Sequence, residues 1–235
     1  MEIAVISDLH ISRDNADGFL HDESAFLEFL MRLENNFEKI ILLGDIFDTL
    51  TGTDFRNPKK EFWQAVAAYP YVGSRLLSDQ YVYVYGNHDM AAQVTVNALE
   101  EYSIQKDGLR ILFTHGHQYD WVATRARGSV DFLIWLGGYI KRLGLKSLYD
   151  ILSFIDEYIG GTGASPESCM FTQWALRLAE QRGYDFVVTG HTHRISSFHN
   201  KNTVYLNSGT CSNGAFQFCT INTKQNSYTY HTEPF

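Results

Sequence analysis

The chain has 235 residues, 45% of them hydrophobic, enough to bury a large core within one domain of ordinary size. Its 19 basic against 27 acidic residues leave a net charge of −8, which argues against a broad nucleic-acid footprint. Three cysteines, Cys169, Cys211 and Cys219, form no Cys-x-x-Cys pair, so neither a disulfide scaffold nor a thiolate zinc site is indicated, and a reducing compartment fits.

In chain order, Ile3-Ala4-Val5-Ile6-Ser7 is a short apolar, β-branched run that reads as a buried strand, and it leads straight into Asp8-Leu9-His10. No basic n-region or cleavable apolar segment precedes it, so a cytoplasmic location is expected. Residues 23–37 carry Phe26, Leu27, Phe29, Leu30, Leu33 and Phe37 at helical spacing, and residues 58–68 read as a second helix opened by Asn57-Pro58. Three more strand-like runs end at polar blocks. Residues 39–43 lead into Gly44-Asp45-Ile46-Phe47-Asp48, residues 81–85 into Gly86-Asn87-His88-Asp89, and residues 110–114 into His115-Gly116-His117. About fifty residues with helical patterning and no strand signal follow, including Trp121, Phe132, Trp135 and Leu143. Ser165 and Pro166 then open a helix over 166–182, and residues 185–189 lead into Gly190-His191-Thr192-His193. Residues 194–231 alternate short Tyr, Phe, Val and Ile runs with turns such as Asn213-Gly214, the pattern of antiparallel strands. The longest nearly uncharged stretch, residues 132–140, is far short of the roughly 20 residues a membrane span needs.

Seven potential ligands, Asp8, His10, Asp45, Asn87, His115, His191 and His193, thus fall where five apolar runs end. A lone histidine after a strand is usually a surface or hydrogen-bonded residue. Five strand ends supplying such residues would form one rim, where ligands of open α/β sheets gather. The mixed nitrogen and oxygen set suits Mn²⁺, Fe or Zn²⁺ better than Ca²⁺. One tetrahedral site cannot use all seven, whereas two ions about 3.5–4 Å apart can, with Asp45 as the bridging carboxylate. Such a pair would generate a bridging hydroxide and polarise a phosphoryl group without a protein nucleophile. His88, beside Asn87, is the candidate general acid or transition-state stabiliser, with Asp89 positioned to fix its tautomer or support its charge. Asp48 reads as orienting a metal-bound histidine or the turn, and Arg194 as meeting a phosphate oxygen. For Asp48 and Asp89 the competing reading is a turn or helix cap, and for Arg194 a solvated charge. His21, His199 and His231 fall outside every block and read as structural.

The ordered blocks Asp-x-His, Gly-Asp-x-x-Asp, Gly-Asn-His-Asp, a histidine in a Gly-containing turn and Gly-His-x-His resemble the calcineurin-like metallophosphoesterases over residues 8–193. That resemblance implies an α/β fold of four αββα layers, with two mixed sheets face to face between helices. It implies one metal held by Asp8, His10, Asp45 and His193, and the other by Asp45, Asn87, His115 and His191. The Gly-Asp-x-Val-Asp-Arg-Gly block of related protein phosphatases is absent, since Thr49-Leu50 follows Asp48.

The segment at about 118–165 reads as a helical cap or lid inserted in a single domain spanning residues 1–235. Residues 118–150 carry Arg125, Arg127, Lys141, Arg142 and Lys146 and are net +2 while the rest is −10. A basic, apolar lid on an acidic protein suits an amphiphilic phosphorylated substrate or peripheral contact with an anionic membrane; packing onto the main core is the plainer alternative. The insertion resembles that of the UDP-2,3-diacylglucosamine pyrophosphohydrolases, which cleave a lipid-linked nucleotide diphosphate at the inner membrane surface, and it makes Tyr119, Arg125 and Arg127 candidate substrate contacts alongside Arg194 and Asn87. The chain departs from that branch in having His88 where the branch has Arg and His117 where it has Asp; Gly-Asn-His-Asp is the form of more general phosphodiesterases. A metal-dependent phosphoesterase acting on a phosphodiester or pyrophosphate is therefore expected. The alternatives are the lipid-nucleotide pyrophosphohydrolase itself, a non-catalytic scaffold on the same fold, and a protein whose basic lid works at a membrane surface. No sequence feature sets an oligomeric state.

Overall fold

The computed structural model describes residues 1–13, 19, 21–51, 54, 56–119, 169–212 and 214–234. Among the described residues, ten strands form two five-stranded sheets. The first has the order β10-β9-β1-β2-β3, built from β1 (Glu2–Ile6), β2 (Lys39–Leu43), β3 (Tyr81–Val84), β9 (Ala215–Asn222) and β10 (Ser227–Pro234). The second has the order β4-β5-β6-β8-β7, from β4 (Glu101–Lys106), β5 (Leu109–Thr114), β6 (Phe186–Thr189), β7 (Ser196–Asn200) and β8 (Thr203–Asn207). Both sheets are mixed: β1, β2 and β3 run parallel, as do β5, β6 and β8, while β9, β10, β4 and β7 pair antiparallel.

The apolar runs form strands because both of their faces are buried. With a side-chain period of two, Ile3, Val5, Ile41 and Leu43 face Ile111, Phe113, Phe186, Val188 and Leu206 of the other sheet. The opposite faces of β1 and β2, with Ala4, Ile6, Ile40 and Leu42, receive Phe26, Phe29, Leu30 and Leu33 of α1 (Glu23–Asn36), Phe62 and Ala65 of α2 (Pro58–Ala68), and Val72 and Leu76 of α3 (Pro70–Leu76). On the far side, Leu112, Val187 and Tyr205 pack against Phe171, Ala175, Leu176 and Ala179 of α5 (Met170–Arg182), completing four αββα layers. Each large apolar side chain removed from water contributes about 1.5–3 kcal/mol, so α1 is held mainly by its four buried residues. Its start is set by Asp22, whose carboxylate accepts from the amides of Ser24 and Ala25, and α2 starts at Asn57-Pro58.

The expected elements are present, with differences. The C-terminal strands form two antiparallel hairpins, but these lie in different sheets, and β8 joins β6 in parallel. Strand β4 and the short helices α3 and α4 (Ala91–Thr95) had no sequence signal strong enough to place them. The Ser165-Pro166 cap, the Asn213 half of the Asn213-Gly214 turn and the insertion beyond Tyr119 lie outside the described residues. Among the described residues, no helix is long and apolar enough to cross a membrane.

Candidate metal centre

Strands β1, β2, β3, β5 and β6 end on one rim, and the chain turns sharply as it leaves them. Asp8, His10, Asp45, His191 and His193 all have left-handed backbones, with φ of +54, +51, +53, +70 and +54°. Non-glycine residues adopt this region at a cost of order 1–3 kcal/mol each, less for aspartate. The neighbouring backbone holds them there: Asp8 N–H donates to Gly44 O (3.0 Å), His10 N–H to Asp45 O (2.9 Å) and Gly190 N–H to His115 O (3.2 Å). The turns aim alternate side chains, which a continuing strand would carry upward, into the space between the loops.

There the donors fall into three groups: two share Asp45, and a third, His10, Asp48 and His88, adjoins the first through His10. Asp8, His10, Asp45 and His193 offer donor atoms within 4.8 Å of one another, and so do Asp45, His115 and His191. Asp8 Oδ1 is 3.1 Å from His193 Nε2, Asp45 Oδ2 is 3.2 Å from His115 Nε2, and the Nε2 atoms of His10 and His193 face each other at 3.2 Å. A divalent cation fits this arrangement. Asp8 Oδ1, Asn87 Oδ1 and His115 Nε2 are buried and make no hydrogen bond among the described residues, and buried polar atoms are rarely left so without a ligand to meet them. The opening is on the His193 side, where that side chain is 45% exposed while Asp8 is fully buried.

Protonation follows from the partners. His115 Nδ1 donates to Leu43 O at 2.8 Å, so a neutral ring presents a bare Nε2 to the centre. Burial opposes its charged form, but the Asp45 carboxylate outweighs burial and raises His115 to about 9 in the metal-free protein. His191, half-buried and beside His115, is pushed down to about 4 by desolvation and the neighbouring His115, and is already neutral at pH 7. Since proton and cation compete for His115 Nε2, raising the pH removes the competitor. Mn²⁺ affinity of the metal-stripped protein is therefore expected to rise from pH 6 to about 9, by up to about tenfold per pH unit for each proton displaced, since against burial the Asp8 carboxylate raises His193 as well. Calorimetric titrations at several pH values check this, and a flat profile would contradict it.

Behind the donors, Asp48 Oδ2 lies 3.1 Å from His88 Nδ1 and 3.7 Å from His10 Nδ1, while its Oδ1 accepts from the amides of Leu50 and Thr51. Though burial opposes it, the two imidazoles hold the Asp48 carboxyl far below the usual range, and against the same penalty Asp48 and Asp45 raise His88 to about 10. The expectation for Asp89 holds only in part: its charge adds to those of Asp48 and Asp45 in favouring protonated His88, but it does not fix the ring's tautomer. Its carboxylate faces away from His88, accepting from the amides of Gly86 (2.6 Å) and Ile46 (2.7 Å), more weakly from those of Asp45 and Phe47, and from Tyr83 Oη (2.6 Å). A side chain adjacent to His88 in a tight turn points elsewhere, and the pairing falls to Asp48 from the neighbouring loop.

Two glycines make room for the centre. A Cβ on Gly86 would sit 2.2 Å from Asp45 Oδ1, and one on Gly44, at φ +85°, 2.3 Å from His115 Nδ1. Gly86→Ala should displace Asp45 without altering any donor and weaken Mn²⁺ binding by about 10–100-fold, as measured by titration; unchanged affinity would show that the loop yields freely.

Arg194 follows His193 and is exposed, with no ion pair or hydrogen bond among the described residues. Tyr119 ends a 3-10 turn at His117–Tyr119, its ring against Phe171 and Trp174 at 5.6 and 5.7 Å. Arg125 and Arg127 lie outside the described residues, as do Lys141 and Lys146. His21 Nε2 donates to Cys211 O (2.9 Å) and its ring stacks on Phe216, His199 contacts Tyr228 and His231 stacks on Phe218, all away from the donor groups. Behind the donors, sequence reasoning passed over Ser7 and Tyr83, whereas for Asn207-Ser208-Gly209-Thr210 it left open a place at the rim or a plain strand end, and the structure brings this turn to Ser7 and Asp8.

With this fold and rim in view, the chain belongs to the calcineurin-like phosphoesterase family, whose model matches residues 1–194, and its class is that of a metal-dependent phosphoesterase. Among individual relatives, the UDP-2,3-diacylglucosamine hydrolase of Aliivibrio fischeri (strain MJ11) is 26% identical over 214 residues, covering 83% of this chain and 82% of that protein. Two solved structures share the fold: a novel archaeal phosphodiesterase (TM-score 0.50, 18% identity, 99% of this chain and 100% of that one) and Vps29 of Chaetomium thermophilum (TM-score 0.51, 16% identity, 100% and 95%).

Proposed function

We propose that this protein is a dinuclear-metal-dependent hydrolase of phosphodiester or pyrophosphate bonds. The observation that carries this reading is the pair of donor groups meeting at Asp45, with buried donor atoms of Asp8, Asn87 and His115 otherwise without partners among the described residues. Asp8, His10, Asp45 and His193 would hold one cation, and Asp45, Asn87, His115 and His191 the other. Mn²⁺ suits the oxygen-rich part of this set. When bound, such a pair supplies Lewis-acid polarisation of the phosphoryl group and an activated water near neutral pH.

The chain's own residues supply the rest. Asp48, fixed by two amides, faces His88 Nδ1 at 3.1 Å and favours the charged ring, leaving Nε2 to protonate the departing oxygen; His88 is the general acid and Asp48 its positioning residue. Arg194, on the open side beside His193, meets a non-bridging phosphate oxygen. A second reading makes the substrate a lipid-linked nucleotide pyrophosphate, with Tyr119, Arg125 and Arg127 as lid contacts and the protein working peripherally at the cytoplasmic membrane face. The similarity to UDP-2,3-diacylglucosamine hydrolase supports it.

The test is hydrolysis of a generic phosphodiester, a phosphomonoester and a UDP-linked lipid pyrophosphate by metal-stripped protein, with and without Mn²⁺. Mn²⁺-dependent turnover of the diester or pyrophosphate is expected, and their ratio decides between the two substrate readings. Turnover that survives stripping would refute the metal mechanism, and none on any substrate would favour a scaffold.

A further inference from the structure

Asp8 is held asymmetrically. Its Oδ2 accepts from Ser7 Oγ at 2.5 Å and from the amide of His191 at 3.3 Å, whereas Oδ1 has no hydrogen bond among the described residues and lies 3.1 Å from His193 Nε2. Neighbouring residues of a strand point to opposite faces. Here the left-handed turn at Asp8 brings the two side chains together.

The Ser7 hydroxyl is in turn fixed by a segment 201 positions away. Ser208 Oγ is 2.7 Å from Ser7 Oγ, and Gly209 O is 3.1 Å from it. Ser7 has one proton to give, and an ionised carboxylate is a stronger acceptor than a hydroxyl or a carbonyl. Ser7 therefore donates to Asp8, and Ser208 donates to Ser7 at 2.7 Å in preference to Thr189 O, which its hydroxyl also meets at 3.2 Å. The same turn at 207–210 grips the centre twice more. Thr210 Oγ1 donates to Asp8 O (2.8 Å), and Asn207 Nδ2 to Gly190 O (2.5 Å) and Thr192 Oγ1 (3.1 Å), within the turn that carries His191 and His193. Ser7, Asp8, Asn207 and Ser208 are fully buried. Gly190 leaves the space for this, since a Cβ there would meet Asp8 Oδ2 at 2.7 Å and Ser7 Oγ at 2.8 Å. The turn at 207–210 lies beyond the 1–194 region that matches the family model.

We propose that Ser7, locked by Ser208, is a positioning residue that occupies Asp8 Oδ2 and so makes Asp8 a one-oxygen ligand, through Oδ1, of the cation shared with His10, Asp45 and His193. Without the Ser7 proton the carboxylate is free to rotate or to offer both oxygens, and the geometry of that one site changes. Asn87, His115 and His191 make no hydrogen bond to Ser7 among the described residues, and only the long bond of the His191 amide to Asp8 Oδ2 links them to this change, so the other cation's surroundings are altered far less.

This inference rests on the two-cation reading, and one titration separates the two. Metal-stripped wild type, Ser7→Ala, Ser7→Thr and Ser208→Ala are titrated calorimetrically with Mn²⁺, and with Co²⁺ while its visible absorption reports coordination. Circular dichroism checks the fold. Wild type is expected to bind two cations; failure of that result overturns the two-cation reading itself. Given two events, Ser7→Ala should weaken one of them by about 10–100-fold, the usual effect of removing an outer hydrogen-bond partner, leave the other within about twofold and alter one component of the Co²⁺ spectrum. Ser7→Thr, which restores the hydroxyl, should recover most of the loss. Equal weakening of both events, or none, in a folded Ser7→Ala protein overturns the proposal. If Ser7→Ala does not fold, Ser208→Ala decides: a selective loss at the same event supports it, and an unchanged isotherm overturns it.

Discussion

Asp45→Asn is expected to lower turnover by at least about 10³-fold, equivalent to about 4 kcal/mol of transition-state stabilisation, and to reduce Mn²⁺ binding to fewer than two ions per chain. Asp45 is the donor common to the two groups proposed to hold cations, so losing its charge weakens both, where any other single change touches one. The direction of the amide makes the effect severe. Asp45 Oδ1 accepts from the His88 amide at 2.8 Å, and Oδ2 faces His115 Nε2 at 3.2 Å. An asparagine must keep its oxygen toward the His88 N–H, because two buried donors facing each other cost about 1–3 kcal/mol. Its NH₂ then points at the cation site and offers no lone pair. The side chain's volume is unchanged, so the metal-stripped variant should keep the wild-type circular dichroism. Retention of two tightly bound Mn²⁺ with less than a tenfold loss of turnover would remove Asp45 from the bridge and the dinuclear reading with it.

How much of this centre could be read from the sequence depended on how local its causes are. The apolar runs before Asp8, Asp45, Asn87, His115 and His191 stand out because parallel strands buried on both faces leave no polar alternation, and the blocks follow them directly. Strand β4, Glu101-Tyr102-Ser103-Ile104-Gln105-Lys106, is an edge strand with an exposed polar face, so its alternation is weak evidence in a sequence and only its pairing with β5 identifies it. That β8 lies beside β6 in parallel, carrying Asn207 and Ser208 to the back of Asp8, is a matter of topology and has no local mark. The left-handed turns at His10 and His191 are likewise invisible: neither turning position is a glycine, and tertiary bonds from the His10 amide to Asp45 O and from the His191 amide to Asp8 hold them. Asp89 shows the opposite failure. Its adjacency to His88 suggested a partnership, whereas the fold assigns that role to Asp48, forty residues upstream.

That reassignment makes Asp89 primarily a structural residue, and Asp89→Ala should show it as a stability loss of more than about 3 kcal/mol. Its carboxylate is where the exits of β2 and β3 are tied together, accepting from Gly86 and Ile46 amides and Tyr83 Oη at 2.6–2.7 Å and from Asp45 and Phe47 amides at 3.3–3.4 Å. Alanine leaves these donors buried, at about 1–3 kcal/mol for each one that water cannot reach. Part of that is offset, because burial and the Asp45 charge raise the Asp89 pKa and make the native carboxylate costly to hold. For a chain of this size the net loss corresponds to a fall in Tm of about 6–12 °C. The measurement belongs on metal-stripped protein, where a general-acid partner and a structural tie behave differently. If Asp89 served only His88 chemistry, the variant would melt with the wild type and lose turnover alone. If it ties the loops, the melting point falls before any metal is added, and Mn²⁺ affinity falls with it because Asp45 and Gly86 lose the group that fixes their amides.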